Sequence, residues 1–214
     1  MLLYKFYRLE TALKNLESKR LKLSLITELN DPFEFEPYSF SNKQERMLWS
    51  KCREKISSMI GLMSFCEVWN NPLLWSHYAD NHKGLCLGFE VDSSLSEKVR
   101  YFRYRSPLDS IQSFIVKRDE QAMRHALTAK FSHWKYEREQ RVFSSLDEAV
   151  LSDGMYFEPF SDSIKLVSVF IGVRASISSE EIRKFVSPNV KIVTARQAFR
   201  SFLICKQKDT SLMK

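Results

Sequence analysis

The stretch that decides the fold is Gly84-Leu85-Cys86-Leu87-Gly88-Phe89-Glu90-Val91. Its large apolar residues alternate with smaller or polar ones, which is the two-residue period of a β-strand with two different faces. An isolated strand of this kind is not stable, so we expect it to be a central strand of a sheet.

Shorter patterns on either side of this strand predict the rest of the sheet. Strands are predicted at residues 2–7, 20–25, 61–66, 99–104, 138–144, 155–160, 164–173, 191–194 and 201–205. Predicted helices begin near residues 9, 43, 72, 109 and 179, and the longest covers 109–131. Because helices and strands do not alternate regularly, we predict the α+β class, with a mixed, mostly antiparallel sheet and irregularly interspersed helices. Residues 1–214 are expected to form a single domain.

Glycine is scarce, with 5 residues in 214. The sequence contains neither G-x-G-x-x-G nor G-x-x-x-x-G-K-[ST], so a phosphate-binding loop built on glycine backbone is excluded. If the protein binds a nucleotide, side chains must supply the contacts.

Composition narrows the cellular setting and the partners. Apolar runs fall short of the ~20 residues that span a bilayer, so no membrane partner is expected. The four cysteines form no C-x-x-C motif, which favours reduced thiols and a cytoplasmic location. The net charge of +7 is compatible with a solvated surface or with a nucleic-acid target, and the oligomeric state stays open.

Three clusters mix aromatic rings with polar groups, as a pocket for a planar and partly charged ligand requires. They are the Asn-Asp-Pro cluster (residues 30–34), the Trp-Ser-His-Tyr cluster (71–80) and the Tyr-Glu cluster (134–141).

The Tyr-Glu cluster has two interpretations. In an extended chain Glu137, Glu139 and Arg141 project from one face. They form either an exposed strand face with Glu–Arg pairs or a carboxylate pair oriented by an arginine. A carboxylate pair of this kind could stabilise an oxocarbenium-like centre, as in cleavage at an anomeric carbon.

The other two clusters also have a plainer alternative. Trp75 and Tyr78 share one helical face, so they are either core residues or ring platforms for a ligand. Asn-Asp-Pro is a turn signal that would let Phe33 pack on the core, and it could equally form the edge of a pocket. The spacing of the cysteines and histidines matches no standard zinc site, so no metal is expected.

The motifs, in this order, resemble a prokaryotic family known as domain of unknown function 2971. The resemblance rests on Leu3-Tyr4-Lys5-Phe6, Leu29–Glu34, Asn71–Ala79, His82–Cys86, Trp134-x-Tyr136-Glu137-x-Glu139-x-Arg141 and the strand Val167–Gly172. Relatives tend to carry Cys-Phe-Ser-Glu where this chain has Ser64-Phe65-Cys66-Glu67, which leaves the role of these small polar side chains in doubt.

A fainter resemblance, in the order of elements, is to ADP-ribosyltransferase-type domains. It implies NAD as the substrate, with Glu137 and Glu139 as the catalytic pair and Glu139 favoured to hold the ribose 2′-hydroxyl. Tyr4 or Lys5 would contact adenosine or ribose, and a ring of the Trp-Ser-His-Tyr cluster, Trp75 or Tyr78, would stack on nicotinamide. The remaining substrate-binding residues expected around this cleft are Asn30, Asp31, Ser76, His77, Lys83, Tyr136 and Arg141.

Three functions are therefore compared. The first is an ADP-ribosyltransferase-like enzyme that cleaves NAD and modifies a protein or nucleic-acid target. The second is a non-enzymatic module that binds nucleotides or nucleic acid. The third is a metal-dependent nuclease or hydrolase that uses Asp31, Glu34, Glu137 and Glu139.

Overall fold

The computed structural model describes residues 1–108, 111, 114–115 and 119–214. Its helices are α1 (Leu9–Ser18), α2 (Lys43–Ser57), α3 (Pro72–Tyr78), α4 (Glu120–Thr128) and α5 (Ser179–Arg183). Short stretches of 3₁₀ helix cover Ile26–Glu28, Ser93–Leu95, Ser132–Glu137 and Thr210–Leu212.

Strands are interspersed among these helices. They are β1 (Leu2–Tyr7), β2 (Arg20–Lys22), β3 (Ser24–Leu25), β4 (Tyr38–Ser39), β5 (Ile60–Cys66), β6 (Leu85–Val91), β7 (Ser96–Lys98), β8 (Arg100–Phe102), β9 (Ser106–Pro107), β10 (Ala129–Phe131), β11 (Glu139–Ser145), β12 (Val150–Ser152), β13 (Met155–Pro159), β14 (Ile164–Ile171), β15 (Lys191–Gln197) and β16 (Ile204–Lys206). The α+β class predicted from the sequence is confirmed.

The main sheet contains nine strands among the residues that the structure describes. Its order is β16-β15-β14-β6-β1-β5-β11-β7, and β3 pairs with β5 off this path. The β14–β15 pair is parallel and the other pairs are antiparallel, which confirms the mixed, mostly antiparallel sheet. As predicted, β6 is central, with β1 on one edge and β14 on the other.

The two faces of β6 belong to two different cores. Leu85, Leu87 and Phe89 lie in a core that also takes residues from α1 and α5. Cys86, on the opposite face, packs in a second core together with Trp75 of α3. Successive residues of β6 therefore point into different cores, which explains why large and small residues alternate in its sequence.

The sheet opens between β1 and β5. These strands share a single register pair, Tyr4 with Cys66, whereas β1 and β6 pair over six positions. Further along β5 its edge is taken by β3, where Ser24 pairs with Leu62. The backbone ladder is thus interrupted beside Ser64, and this opening forms a cleft.

The single long helix predicted for 109–131 is wrong at two described points. Asp119 is a non-helical N-cap, so α4 begins only at Glu120, and the C-terminal end also differs. The helix α4 stops at Thr128, and Ala129–Phe131 forms β10, which pairs in parallel with β8. Non-local pairing overrides local helix propensity here. Residues 109–110, 112–113 and 116–118 of that prediction lie outside the described residues.

Within the described ranges, no helix has the length and apolar character needed to cross a membrane.

The close approach of chain segments at Gly84 predicts a stability effect. A Cβ atom added there would overlap the backbone carbonyl oxygen of Tyr7, which no side-chain motion can relieve. We expect Gly84→Ala to lower the free energy of unfolding by about 3 kcal/mol, measured by urea denaturation. The matched control is Gly154→Ala, because Gly154 has a φ of 73° but open space around it, so its cost is about 1 kcal/mol. Equal decreases for the two variants would contradict the steric explanation.

Candidate functional site

A cleft of about 270 Å³ lies at the opening between β1 and β5. Six of the predicted site residues line it: Tyr4, Lys5, Asn30, Tyr78, Glu137 and Glu139. They come from β1, from the Asn-Asp-Pro cluster, from α3 and from the Tyr-Glu cluster. The three clusters that stand apart in the sequence therefore meet at one cavity.

Lys130 is the centre of the cleft's charge network. Its Nζ atom lies 2.6 Å from Glu137 Oε2, 2.8 Å from Glu139 Oε2 and 3.2 Å from Glu34 Oε1. All four side chains are almost fully buried. One ammonium group thus neutralises part of the charge of three carboxylates that are almost fully shielded from water.

Arg141 is the second cation of this charge network. Its Nη2 lies 2.7 Å from Glu34 Oε2 and its Nε lies 2.8 Å from Glu139 Oε1. Its Nη1 donates a 2.8 Å hydrogen bond to the carbonyl oxygen of Leu127, at the end of α4. Arg141 does not line the cleft but fixes two of the carboxylates that do, Glu34 and Glu139.

The backbone between Glu137 and Glu139 is bent, not extended. Glu137 ends the 3₁₀ turn Ser132–Glu137, Arg138 is left-handed with a φ of 48°, and Glu139 begins β11. The sequence-based assumption of a continuous strand is wrong at this point. The two carboxylates still converge, because the left-handed residue redirects the chain between them.

Helix α3 and the 3₁₀ turn are joined by side-chain hydrogen bonds. The Tyr78 hydroxyl donates to Glu137 Oε1, and Asn71 Nδ2 donates to the Tyr136 carbonyl oxygen at 3.1 Å. The Tyr136 hydroxyl lies 3.0 Å from His77 Nδ1. His77 and Tyr136, both predicted to bind substrate, therefore connect the two clusters outside the cleft lining.

The network keeps Glu139, Lys130 and Arg141 charged. Burial alone would raise the pKa of Glu139, but the neighbouring Arg141 and Lys130 lower that pKa to about 2. Burial opposes the charge of Lys130, but the three carboxylates raise its pKa above the ordinary value. Tyr78 stays protonated, because burial and the charge of Glu137 raise its pKa. At neutral pH the cleft therefore presents an ionised Glu139 and a neutral phenol.

Two further groups lie at the opening of the sheet. The Lys5 ammonium donates a 2.8 Å hydrogen bond to the Ser64 carbonyl oxygen, where the backbone ladder is interrupted. Burial lowers the pKa of Lys5 to about 8. Burial, assisted by Glu137 and Glu139, raises the pKa of the Cys66 thiol, so Cys66 is not an activated nucleophile.

Besides Arg141, His77 and Tyr136, four further predicted residues lie outside the cleft lining. Trp75 is fully buried, packs edge-to-face on Phe6 and donates to the Trp69 carbonyl oxygen, so no face of its ring is open to a ligand. Asp31 is also buried, and its Oδ1 accepts from the Phe33 amide, which makes it a turn residue. The other two, Ser76 and Lys83, lie at the end of α3 and in the turn after it.

Sequence reasoning misses the central residue, Lys130. It falls within the predicted helix 109–131, where a lysine carries no functional signal. The sequence suggests Glu34 only as a metal ligand. Among the described residues no group of His, Cys, Asp or Glu is arranged to hold a metal ion. The Lys130 ammonium lies among the three carboxylates, where a metal ion would have to bind.

Fold and site together define an α+β domain with a narrow cleft built on paired glutamates. Residues 74–142 match the model of a family described as "Protein of unknown function (DUF2971)", about a third of the chain. This match supports the family that the motifs indicate, and the segment contains Tyr78, Lys130, Glu137, Glu139 and Arg141. No curated protein and no solved structure matches the chain.

Removal of one buried ion should be far more costly than removal of an exposed one. Arg141 is 2% exposed, and Arg141→Met would leave Glu34 and Glu139 undercompensated, so we expect a decrease of about 3–5 kcal/mol in the free energy of unfolding. Arg138 is three positions away, 57% exposed, and pairs with Glu67 on the surface. Arg138→Met should therefore cost no more than about 1 kcal/mol in the same urea titration. Similar costs for both variants would contradict the role assigned to the network.

The low pKa of Glu139 predicts a decrease of stability in acid. The folded pKa lies below the ordinary value of 4.5, so its contribution is complete above pH 4.5 and is lost as the pH falls towards about 2. Glu139→Gln removes this titration and should flatten the dependence of the unfolding free energy on pH in this range, by up to about 1.4 kcal/mol per pH unit. The measurement is a series of urea titrations, with the exposed Glu90→Gln as control. Parallel curves for Glu139→Gln and the wild type would contradict the assignment.

Proposed function

We propose that the cleft binds NAD, cleaves its bond between nicotinamide and ribose, and transfers ADP-ribose to a macromolecular target. The observation that carries the proposal is the pair of glutamates, Glu137 and Glu139, which line one cavity on either side of the Lys130 ammonium.

The cleavage of NAD suits a cleft that contains an ionised Glu139. When the bond between C1′ and the nicotinamide nitrogen breaks, its electrons neutralise the pyridinium, so nicotinamide leaves without being protonated. The ribose gains oxocarbenium character, and an acceptor group then attacks C1′ and loses its proton. The reaction therefore needs an ionised carboxylate, which stabilises the positive centre, more than a general acid. Glu139, with a pKa of about 2, is ionised at neutral pH.

Both glutamates keep free capacity to accept hydrogen bonds. An ionised carboxylate has about four acceptor sites. Glu139 uses three of them, one for Lys130 and two for Arg141, whereas Glu137 uses two, for Tyr78 and Lys130. Glu139, with its low pKa, therefore stabilises the ribose cation and keeps one site for a ribose hydroxyl. Glu137 keeps two sites for hydrogen bonds from the substrate.

The size of the cleft indicates which part of NAD it holds. About 270 Å³ is small for a whole dinucleotide, since pockets for drug-sized ligands are usually about 300–1,000 Å³. We therefore propose that the nicotinamide and its ribose enter the cleft, between the ring of Tyr4 and the glutamates. The rest of the dinucleotide, including its phosphates, would lie outside the cleft, whose volume is too small to hold it.

The test is the release of nicotinamide from NAD labelled in that ring. We expect Glu137→Gln and Glu139→Gln each to lower the rate at least about 10²-fold, because each removes a charge that stabilises the transition state. The matched control, Glu90→Gln, makes the same substitution at an exposed residue of β6 and should keep the wild-type rate. Near-ultraviolet circular dichroism checks that each variant is folded.

Tyr78→Phe is a less disruptive substitution, so its effect on the rate is less open to an explanation by unfolding. Tyr78→Phe removes only the hydroxyl that donates to Glu137, so it should lower the rate less than either glutamine variant. The proposal would be overturned if the wild-type protein neither bound NAD in calorimetry nor released nicotinamide. It would also be overturned if both folded glutamine variants kept the wild-type rate.

A further inference from the structure

A second cavity, of about 380 Å³, is lined by all three residues of β10 and shares Lys130 with the cleft. We call it the aromatic groove. Four of its lining residues are exposed aromatic side chains: Phe33, Phe102, Tyr104 and Phe131. Phe33, which the sequence predicts in the core, is 58% exposed, and Tyr104 is 77% exposed. Such exposure is unusual for large rings gathered around one cavity, and it points to a binding surface.

The groove also carries positive charge. The Arg105 guanidinium lies 5.3 Å from the centre of the Phe33 ring, and that of Arg103 lies 5.6 Å from the Tyr104 ring. Both arginines line the groove, and so does one acidic residue, Glu36. Glu36 is already paired with Arg53 at 3.0 Å. The surface therefore combines exposed rings with arginine charge that Glu36 does not balance, in a protein of net charge +7.

We propose that the aromatic groove binds single-stranded nucleic acid. Exposed rings offer stacking faces to unpaired bases, and arginines beside them bind the phosphates, which is how proteins hold single strands without a sequence code. In a duplex the bases are already stacked on one another and could not enter a groove lined by rings. The chain binds the strand through side chains alone, in keeping with its lack of glycine-rich phosphate loops.

The groove and the cleft are neighbours. Lys130 lines both cavities, and Phe33 of the groove precedes Glu34 of the charge network. A strand bound in the groove therefore lies next to the cleft. This places single-stranded nucleic acid in the role of the acceptor for ADP-ribose, a role that rests on the proposed function, whereas the binding itself does not.

The test is fluorescence anisotropy with labelled oligonucleotides of about 12 nucleotides, within the usual site sizes of such proteins. Single-stranded RNA, single-stranded DNA and a DNA duplex are compared, and the tighter of the two single strands identifies the natural ligand. We expect both single strands to bind more tightly than the duplex. Tyr104→Ala should weaken binding about 5- to 150-fold at every salt concentration, and Tyr104→Trp should restore it.

The arginines should act differently from the rings. The double variant Arg103→Ala/Arg105→Ala should reduce the slope of log affinity against log salt by about 0.7 for each phosphate that an arginine no longer neutralises. A merely structural role of these residues would not change that slope.

A matched control lies on another part of the surface. The Arg196 guanidinium, on β15, lies 4.4 Å from the centre of the Phe199 ring. Phe199 is 90% exposed and belongs to the connection between β15 and β16. These strands end the main sheet on the side opposite to β7. Arg196→Ala/Phe199→Ala therefore removes the same kind of pair and should leave the affinity unchanged.

The inference would be overturned if the wild-type protein showed no saturable binding of a single strand at low salt. It would also be overturned if the groove variants bound as tightly as the wild type, or if the duplex bound as tightly as the single strands. Glu90→Gln, at an exposed residue outside both cavities, should keep its oligonucleotide affinity and its rate of nicotinamide release. If nicotinamide release fails while binding depends on Tyr104, the groove keeps its assignment and only the acceptor role is withdrawn.

Discussion

The constraint on which the rest of the structure depends is the charge balance around Lys130. Three buried carboxylates cannot lie side by side unless cations compensate them, since the cost of removing each ion from water is several kcal/mol. Lys130 and Arg141 supply that compensation through contacts of 2.6–3.2 Å. These contacts also join the Asn-Asp-Pro cluster to β10 and β11. The network therefore determines the positions of the residues that line the cleft.

Buried ions are a poor way to stabilise a fold, because well-packed apolar residues of similar volume often do as well or better. The backbone at Arg138 also carries a cost that does not stabilise the fold. Arg138 adopts a left-handed backbone to bring Glu137 and Glu139 together, and a left-handed residue other than glycine carries a cost in free energy. Buried charge and a left-handed backbone thus occur together between Glu137 and Glu139.

The parts of the fold that sequence reasoning predicts are those determined locally. The alternation in 84–91 identifies β6, because residue size there follows the two faces of a single strand. Tyr78 and the two glutamates are likewise recognised as candidates from the mixture of rings and charges in each cluster, but their convergence is a contact across 59 residues that composition does not predict. Long-range pairing is what the sequence does not reveal. Ala129–Phe131 has helical neighbours, and only its partner β8 makes it a strand and brings Lys130 into the cleft. Trp75 is predicted to offer its ring for stacking on a ligand, because polar residues surround it in the sequence. In the structure it is buried in the core on one face of β6.

The distance along the chain between the partners of the network has a consequence for biosynthesis. Glu34 and Arg141 are separated by 107 residues. At translation rates of about 5–20 residues per second, Glu34 is made about 5 to 20 seconds before the guanidinium that balances its charge. During most of that interval the nascent chain cannot close the cleft, because burying Glu34 before Lys130 and Arg141 are made would leave its carboxylate without a counterion. The site is therefore assembled late, after the nascent chain has passed residue 141.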